Sequence, residues 1–277
     1  MFIFSPLCFK TQGRGALFGI SPSYAQDFVM PDMPDTSAMA MTGTGQIDIV
    51  IDPLRVRLVD GRVIQFSTLE IPDLSANDGG PLAENALEAL RPLLEKKSVS
   101  IYQTKKKDKG RTNRMGHHMA HLIVRAPDKS ETLWVQGYMI ANGLARVLPS
   151  RDNTDLFEAM LKAETKARTD KTGLWSDEIY QVLSPQTAVA ALYSWGIIEG
   201  KIHSSALVRN MLYLNFGDNW RDDFTIAVPS SVRRAMMKEG LNPQILANKT
   251  VRVRGWVQAY NGPYIELNHP AWLEILP

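Results

Sequence analysis

Five runs that alternate apolar and polar side chains, interrupted by one amphipathic helix, occur in the same order twice along this 277-residue chain. The first set begins with "QIDIVID", "LRVRLVD" and "RVIQFSTLEI", and Asp60-Gly61 between the second and third predicts a hairpin turn. The segment "GPLAENALEALRPLLEKK" then places Leu82, Ala86, Leu87, Leu90, Leu93 and Leu94 on one helical face. "SVSIYQT" and "HMAHLIVRA" supply two more strands. "ETLWV", a helix over "QGYMIANG" closed by Gly143, and a second helix over "TDLFEAMLKAETKARTDKTGLW" follow, the latter capped by Asp152 or Thr154. Alternation with period 2 gives each strand one core-facing side. Three strands, a helix and two strands are the order of a small Greek-key OB barrel.

The order restarts with "GIIEGKIHS", "MLYLNFG" and "DFTIAVP", the helix "SSVRRAMMKEG", and the strands "KTVRVRGWVQAY" and "GPYIEL". No residue-level repeat accompanies it, so the expectation is one of pattern: a mainly β, α+β protein of two OB-like barrels in tandem. The expected divisions are a linker over 26–44, the first barrel with its helices over 45–176, a connector over 177–195 and the second barrel over 196–277. Residues 1–25 read either as an export signal cut after "SYA", which places the protein outside the cytoplasm, or as a tail on a cytoplasmic protein. The single cysteine, Cys8, allows neither an internal disulfide nor a cysteine-based zinc site. No apolar run is long enough for a membrane-spanning helix.

Net charge is only +2, so affinity for a polyanion has to come from a local cluster. The stretch "TKKKDKGRTNRMGHH" offers one, with Lys105, Lys106, Lys107, Lys109, Arg111 and Arg114 between two strands. An exposed lysine run is also the ordinary composition of a solvated turn.

Over residues 45–176 the chain resembles the staphylococcal nuclease family. The carriers are "DGRVIQFSTLEIPDL", "DKGRTNRMGH", "NGLARV" and, about twenty residues on, "AETKARTDKTGLW". The second half is similar to a small OB-like domain that follows such barrels in some bacterial exported proteins, through "LNFGDNWRDDFTIAVP", "VRVRGWV" and "NGPYIELNHP". The first resemblance implies a calcium ion on two aspartates, a glutamate acting on the attacking water, and two arginines on the phosphate oxygens.

Carried over position by position, that site is altered throughout. The family's two-aspartate turn falls on Asp52 and Leu54, and the isobutyl group of Leu54 cannot ligate a hard cation. The first arginine falls on Gln65, the other calcium aspartate on Glu70, the base on Asp73 and the second arginine on His117. The aromatic positions that flank the nucleotide fall on Met115 and Pro149, which offer no ring. An amide and an imidazole do not replace two bidentate guanidiniums. If activity survives, Asp52, Glu70 and Asp73 hold calcium while Arg114 and His117 carry the phosphate; otherwise no cofactor is expected.

Other candidates carry less. His117 and His121 would share one strand face and His118 the other, a poor geometry for a metal cluster. Arg55 and Arg57 point outward from a strand. In the second barrel, Arg252, Arg254 and Trp256 fall on one face, which suits single-stranded nucleic acid or a stack that stabilises the sheet. The leading expectation is a nuclease-like scaffold with a degenerate site, binding single-stranded nucleic acid, another anionic polymer or a protein. An altered calcium-dependent nuclease is the alternative.

Overall fold

The computed structural model describes residues 28–74, 79–148, 150–219 and 221–277. The export-signal reading, Cys8, Pro149 and Trp220 lie outside the described residues.

The first barrel is built from β1 (Met39–Asp52), β2 (Arg55–Leu58), β3 (Val63–Phe66), β5 (Ser98–Thr104) and β6 (His118–Arg125). A two-residue strand, β4 (Leu69–Glu70), follows β3, and α1 (Pro81–Leu94) bridges to β5. β1 pairs with β5 through its first half and with β2 through its second, and β3 runs parallel to β6 to close the circuit. The bend in β1 brings Gly45 so close to β2 that an added Cβ would sit 2.7 Å from Leu58 Cδ1. Alternate residues Ile47, Val56, Leu58, Ile64, Phe66 and Ile101 fill the interior, as the period-2 pattern requires. Helix α1 buries Ala83, Ala86, Leu90 and Leu94, with Leu82, Leu87 and Leu93 packed at the margin.

β7 (Glu131–Trp134) adds to β6 and runs into α2 (Val135–Ala141), which Gly143 ends with a φ of +59°. A two-residue strand, β8 (Arg146–Val147), pairs with β4, and α3 (Phe157–Thr169) packs on α2. The start of α3 differs from expectation. Neither Asp152 nor Thr154 caps it; its N-cap is Leu156, and Thr154 instead accepts a turn hydrogen bond from the Phe157 N–H. The expected linker also differs. Residues 39–44 already belong to β1, with Met39 buried, and the Asn142 amide holds Val29 by hydrogen bonds of 2.7 and 2.9 Å to its backbone.

The second barrel repeats the circuit. β9 (Trp195–Lys201) and β10 (Ser204–Val208) act as one bent strand, followed by β11 (Met211–Asn215) and β12 (Thr225–Val228). Helix α4 (Ser230–Lys238) comes next, then β13 (Thr250–Trp256) with β14 (Gln258–Ala259), β15 (Pro263–Glu266) and β16 (Leu273–Ile275). β10 pairs with β11, β11 with β12, β12 in parallel with β15, β15 with β14, and β13 with β9. The helix sits between the third and fourth strands in both barrels, and each barrel has its own apolar core. Among the described residues no helix is long and apolar enough to cross a membrane.

Candidate nucleic-acid interface

The three acidic side chains expected to serve a metal or a water each hold local structure. Asp52 closes the turn between β1 and β2: its Oδ1 accepts the Leu54 N–H at 2.9 Å, and its Oδ2 accepts Arg55 Nε at 2.6 Å. Glu70, at the β4–β8 pairing, accepts Arg146 Nε at 2.6 Å, and that arginine is nearly buried. Asp73 stands at the start of α1. Its Oδ2 accepts the Leu82 N–H at 2.7 Å and its Oδ1 the Ala83 N–H at 3.0 Å. A carboxylate across a helix N-terminus satisfies orphan donors and meets the positive end of the dipole. Gly80 lets it come that close, since a Cβ there would fall 2.3 Å from Asp73 Oδ2.

The calcium centre implied by the resemblance does not fit these residues. Leu54 packs against the barrel core instead of offering an oxygen, and Asp52 and Glu70 are each neutralised by an arginine of their own. Among the described residues no three His, Cys, Asp or Glu side chains converge as a metal site would require.

Neutral hydrogen bonds occupy the two arginine positions. Gln65 Oε1 accepts Asn113 Nδ2 at 2.7 Å, tying β3 to the basic loop. Asn113 Oδ1 in turn accepts the Met115 and His117 N–H groups at 2.9 and 3.0 Å, with Gly116 at a φ of +80° completing the turn. The Nδ1 of His117 is buried without a hydrogen-bond partner among the described residues. The loop is therefore a preformed hairpin tip held by amides, with Met115 exposed at its end.

The cations of this loop divide into two kinds. Arg111 is structural: its Nε donates to the Thr104 carbonyl at 2.8 Å, while Gln103 Nε2 holds the Arg111 and Met119 carbonyls at 2.8 and 3.0 Å. Lys105 reaches the Ser37 carbonyl at 2.7 Å. Lys106, Lys107, Lys109 and Arg114 are exposed. Asn113 and Gln103 have no signature in the sequence, because polar residues flanking a basic run carry no periodic signal.

The histidines do not form a cluster. His121 is buried on β6 and its Nδ1 accepts Trp134 Nε1 at 3.3 Å; burial pulls its pKa down to about 3, so the ring is neutral. His118 starts β6, and His117 precedes it.

The expected binding face of the second barrel is corrected. Arg254 is turned into the junction between the barrels, where Nη2 meets Glu164 Oε2 of α3 at 2.9 Å and Glu274 Oε1 of β16 at 3.0 Å. Its Nη1 donates to the Val147 carbonyl at 3.1 Å. Arg252 pairs with Glu199 at 2.6 Å, so only Trp256 of the three is open to solvent. Strand alternation located the face but not the barrel that covers it. Burial pushes the Glu164 carboxyl up, yet Arg254 and Arg168 beside it hold it below the usual range.

Residues 63–177 match the family model described as Staphylococcal nuclease homologue. The match begins at β3; β1 and β2 complete the same circuit ahead of it. No curated protein matches the chain.

Proposed function

We propose that this staphylococcal-nuclease-like barrel is a binding scaffold that engages single-stranded nucleic acid through its basic loop without efficient phosphodiester cleavage. The observation that carries the reading is the commitment of Asp73. Both its oxygens accept helix N–H groups, so the carboxylate at the base position is turned onto the N-terminus of α1, where it serves as a cap. Loss of one strong charge contact in such a site slows the reaction by about 10² to 10³, and here two arginines and a calcium ligand are replaced together. The loop supports binding because Lys106, Lys107, Lys109 and Arg114 present exposed charge on a preformed tip pinned through Gln65 and Asn113.

The test is to incubate the purified chain with labelled single-stranded DNA, with calcium and with chelator, and to read cleavage and mobility shift together. A shift that fades as salt rises, with no cleavage in either condition, is the expected result. Calcium-dependent cleavage abolished in Asp73→Asn would mean a working, altered nuclease. Neither cleavage nor shift would remove nucleic acid as the ligand.

A further inference from the structure

The second barrel turns β9, β13 and β16 toward the junction and leaves the outer face of β10, β11, β12 and β15 open. Leu212, Leu214, Ile226 and Ile265 point into the core, so Tyr213, Asn215, Thr225 and Tyr264 point outward by alternation. The register sets Asn215 beside Thr225 and Thr225 beside Tyr264. Ala206 lies opposite Tyr213 and, having only a methyl group, leaves that ring's flank uncovered. The turn after β14 carries Tyr260 back over the sheet, where its ring meets Tyr264 edge-on at 5.6 Å. Together they enclose a cleft of about 400 Å³, within the size range of small-molecule sites.

The chemistry of this cleft is specific. Among the described residues the hydroxyls of Tyr213, Tyr260 and Tyr264 have no hydrogen-bond partner, so three donor–acceptor groups are available. Asn215 is held between Thr225 Oγ1 and Ser204 Oγ, each at 3.4 Å, and Asn261 adds a second amide. No charged side chain lines the cleft. Its rim is acidic at one end, where an adjoining hollow of about 480 Å³ shares Tyr260 and Asn261 and carries Asp222 and Asp223, while the exposed Arg209 follows Val208 at the other. Glu266 stands close enough to act on the Tyr264 phenol, which burial first and then this carboxylate push up to about 12. Arg221 shares the loop of the two aspartates and leaves that rim net acidic. A phosphate chain would find no cation inside the cleft to pair with, whereas an uncharged ring with hydroxyl edges would meet stacking faces and amides.

We propose that this face is a binding site for a neutral oligosaccharide, with pyranose rings packed on Tyr213 and Tyr260 and ring hydroxyls bonded to Asn215, Asn261 and Tyr264. The two joined hollows fit a chain of several sugars better than a single one, and the outer faces of OB barrels accept oligosaccharides as well as oligonucleotides.

The full chain is titrated calorimetrically with maltohexaose, cellohexaose and chitohexaose, and separately with oligothymidylate. At least one hexasaccharide is expected to bind with an affinity that salt does not change. Tyr260→Ala, at a side chain 61% exposed and so outside the core, is expected to weaken it about tenfold, as is Tyr213→Ala. Replacing Lys106, Lys107 and Lys109 by alanine should leave it unchanged, which separates this site from the basic loop. Absence of binding by all three sugars, binding indifferent to Tyr260→Ala and Tyr213→Ala, or oligothymidylate binding lost in Tyr260→Ala would each overturn the proposal.

Discussion

Arg254 of the second barrel and Glu164 of the first are both almost without solvent exposure, and their side chains meet at 2.9 Å. Glu164 is occupied on every side: its Oε1 also accepts the Val147 N–H at 2.8 Å, and Arg168 reaches Oε2 at 3.2 Å. Arg254 touches a strand carbonyl and a helix carboxylate of the first barrel together with Glu274 of its own. An ion pair this deep adds little net stability over an apolar pair of equal volume, but it is unforgiving of half-removal. It fixes one angle of approach between the two barrels.

Glu164→Gln is therefore expected to destabilise the protein by about 3 to 5 kcal/mol, because Arg254 and Arg168 lose their shared carboxylate in a dry site. Arg254→Leu should be milder, since Glu164 keeps Arg168. Urea denaturation of the single variants and the double variant should give a coupling energy of about 1 kcal/mol or more. Simple additivity would mean that the pair does not join the barrels. Two separate unfolding transitions in either single variant would be direct evidence of undocking.

Asp73 gives a second test, in which stability and catalysis point in opposite directions. As a cap with two bonds, its replacement by alanine should lower stability by about 1 to 2 kcal/mol, and Asp73→Asn, which keeps one acceptor oxygen, by less. Thermal melts of the two variants would read this order. Equal stability of all three proteins, together with a lost cleavage activity, would assign Asp73 a chemical role.

Much of the fold is legible in the sequence. Val56, Leu58, Ile64 and Phe66 announce their faces by alternation, and Ala86, Leu90 and Leu94 by helical spacing, because burial acts on every second or every third to fourth residue. The altered site was legible only as a set of substitutions. That Leu54 could not bind calcium followed from its side chain, but the second duties of Asp52, Glu70 and Asp73 did not. Those depend on Arg55, Arg146 and the α1 backbone, of which Arg146 lies far along the chain. Arg254 departs from the expectation for a related reason: period-2 counting gives the face of a strand, not what packs on that face. Met39 to Thr44 give no strand signal because a Thr- and Gly-rich stretch carries no apolar alternation, even where its backbone completes a barrel.

The buried His121 predicts an acid sensitivity that starts well above the carboxylate range. Its folded pKa is depressed from the ordinary 6.5 to about 3 by burial. The unfolded chain takes up a proton as pH falls through about 6.5, while the folded protein does not. Stability therefore drops over that window, by up to about 1.4 kcal/mol per pH unit, and recovers as pH rises. Glu164, whose folded pKa lies below its ordinary 4.5, gives stability that is lost only at lower pH. Denaturation midpoints measured between pH 7 and 5 should thus slope in the native protein and slope less in His121→Gln, which keeps an acceptor for Trp134; His269, which burial also holds below its ordinary 6.5, supplies the remainder. An unchanged slope in that variant would place the titrating group elsewhere.

The basic loop makes its prediction through salt. Each phosphate that a lysine neutralises on a single strand releases counterions and contributes about 0.7 to the slope of log affinity against log salt. Lys106, Lys107 and Lys109 are exposed, so replacing all three by alanine should reduce the slope by up to about 2 and leave thermal stability within about 0.5 kcal/mol. Arg111→Ala should behave differently, because its guanidinium holds the Thr104 carbonyl at the base of the loop. It should lower stability and affinity together, since the tip loses its support. Filter binding of oligothymidylate across a salt series separates the two cases. An unchanged slope both in the triple lysine variant and in that variant with Arg114→Ala added would show that the exposed cations of the loop touch no phosphate, and the binding reading of the first barrel would then fail.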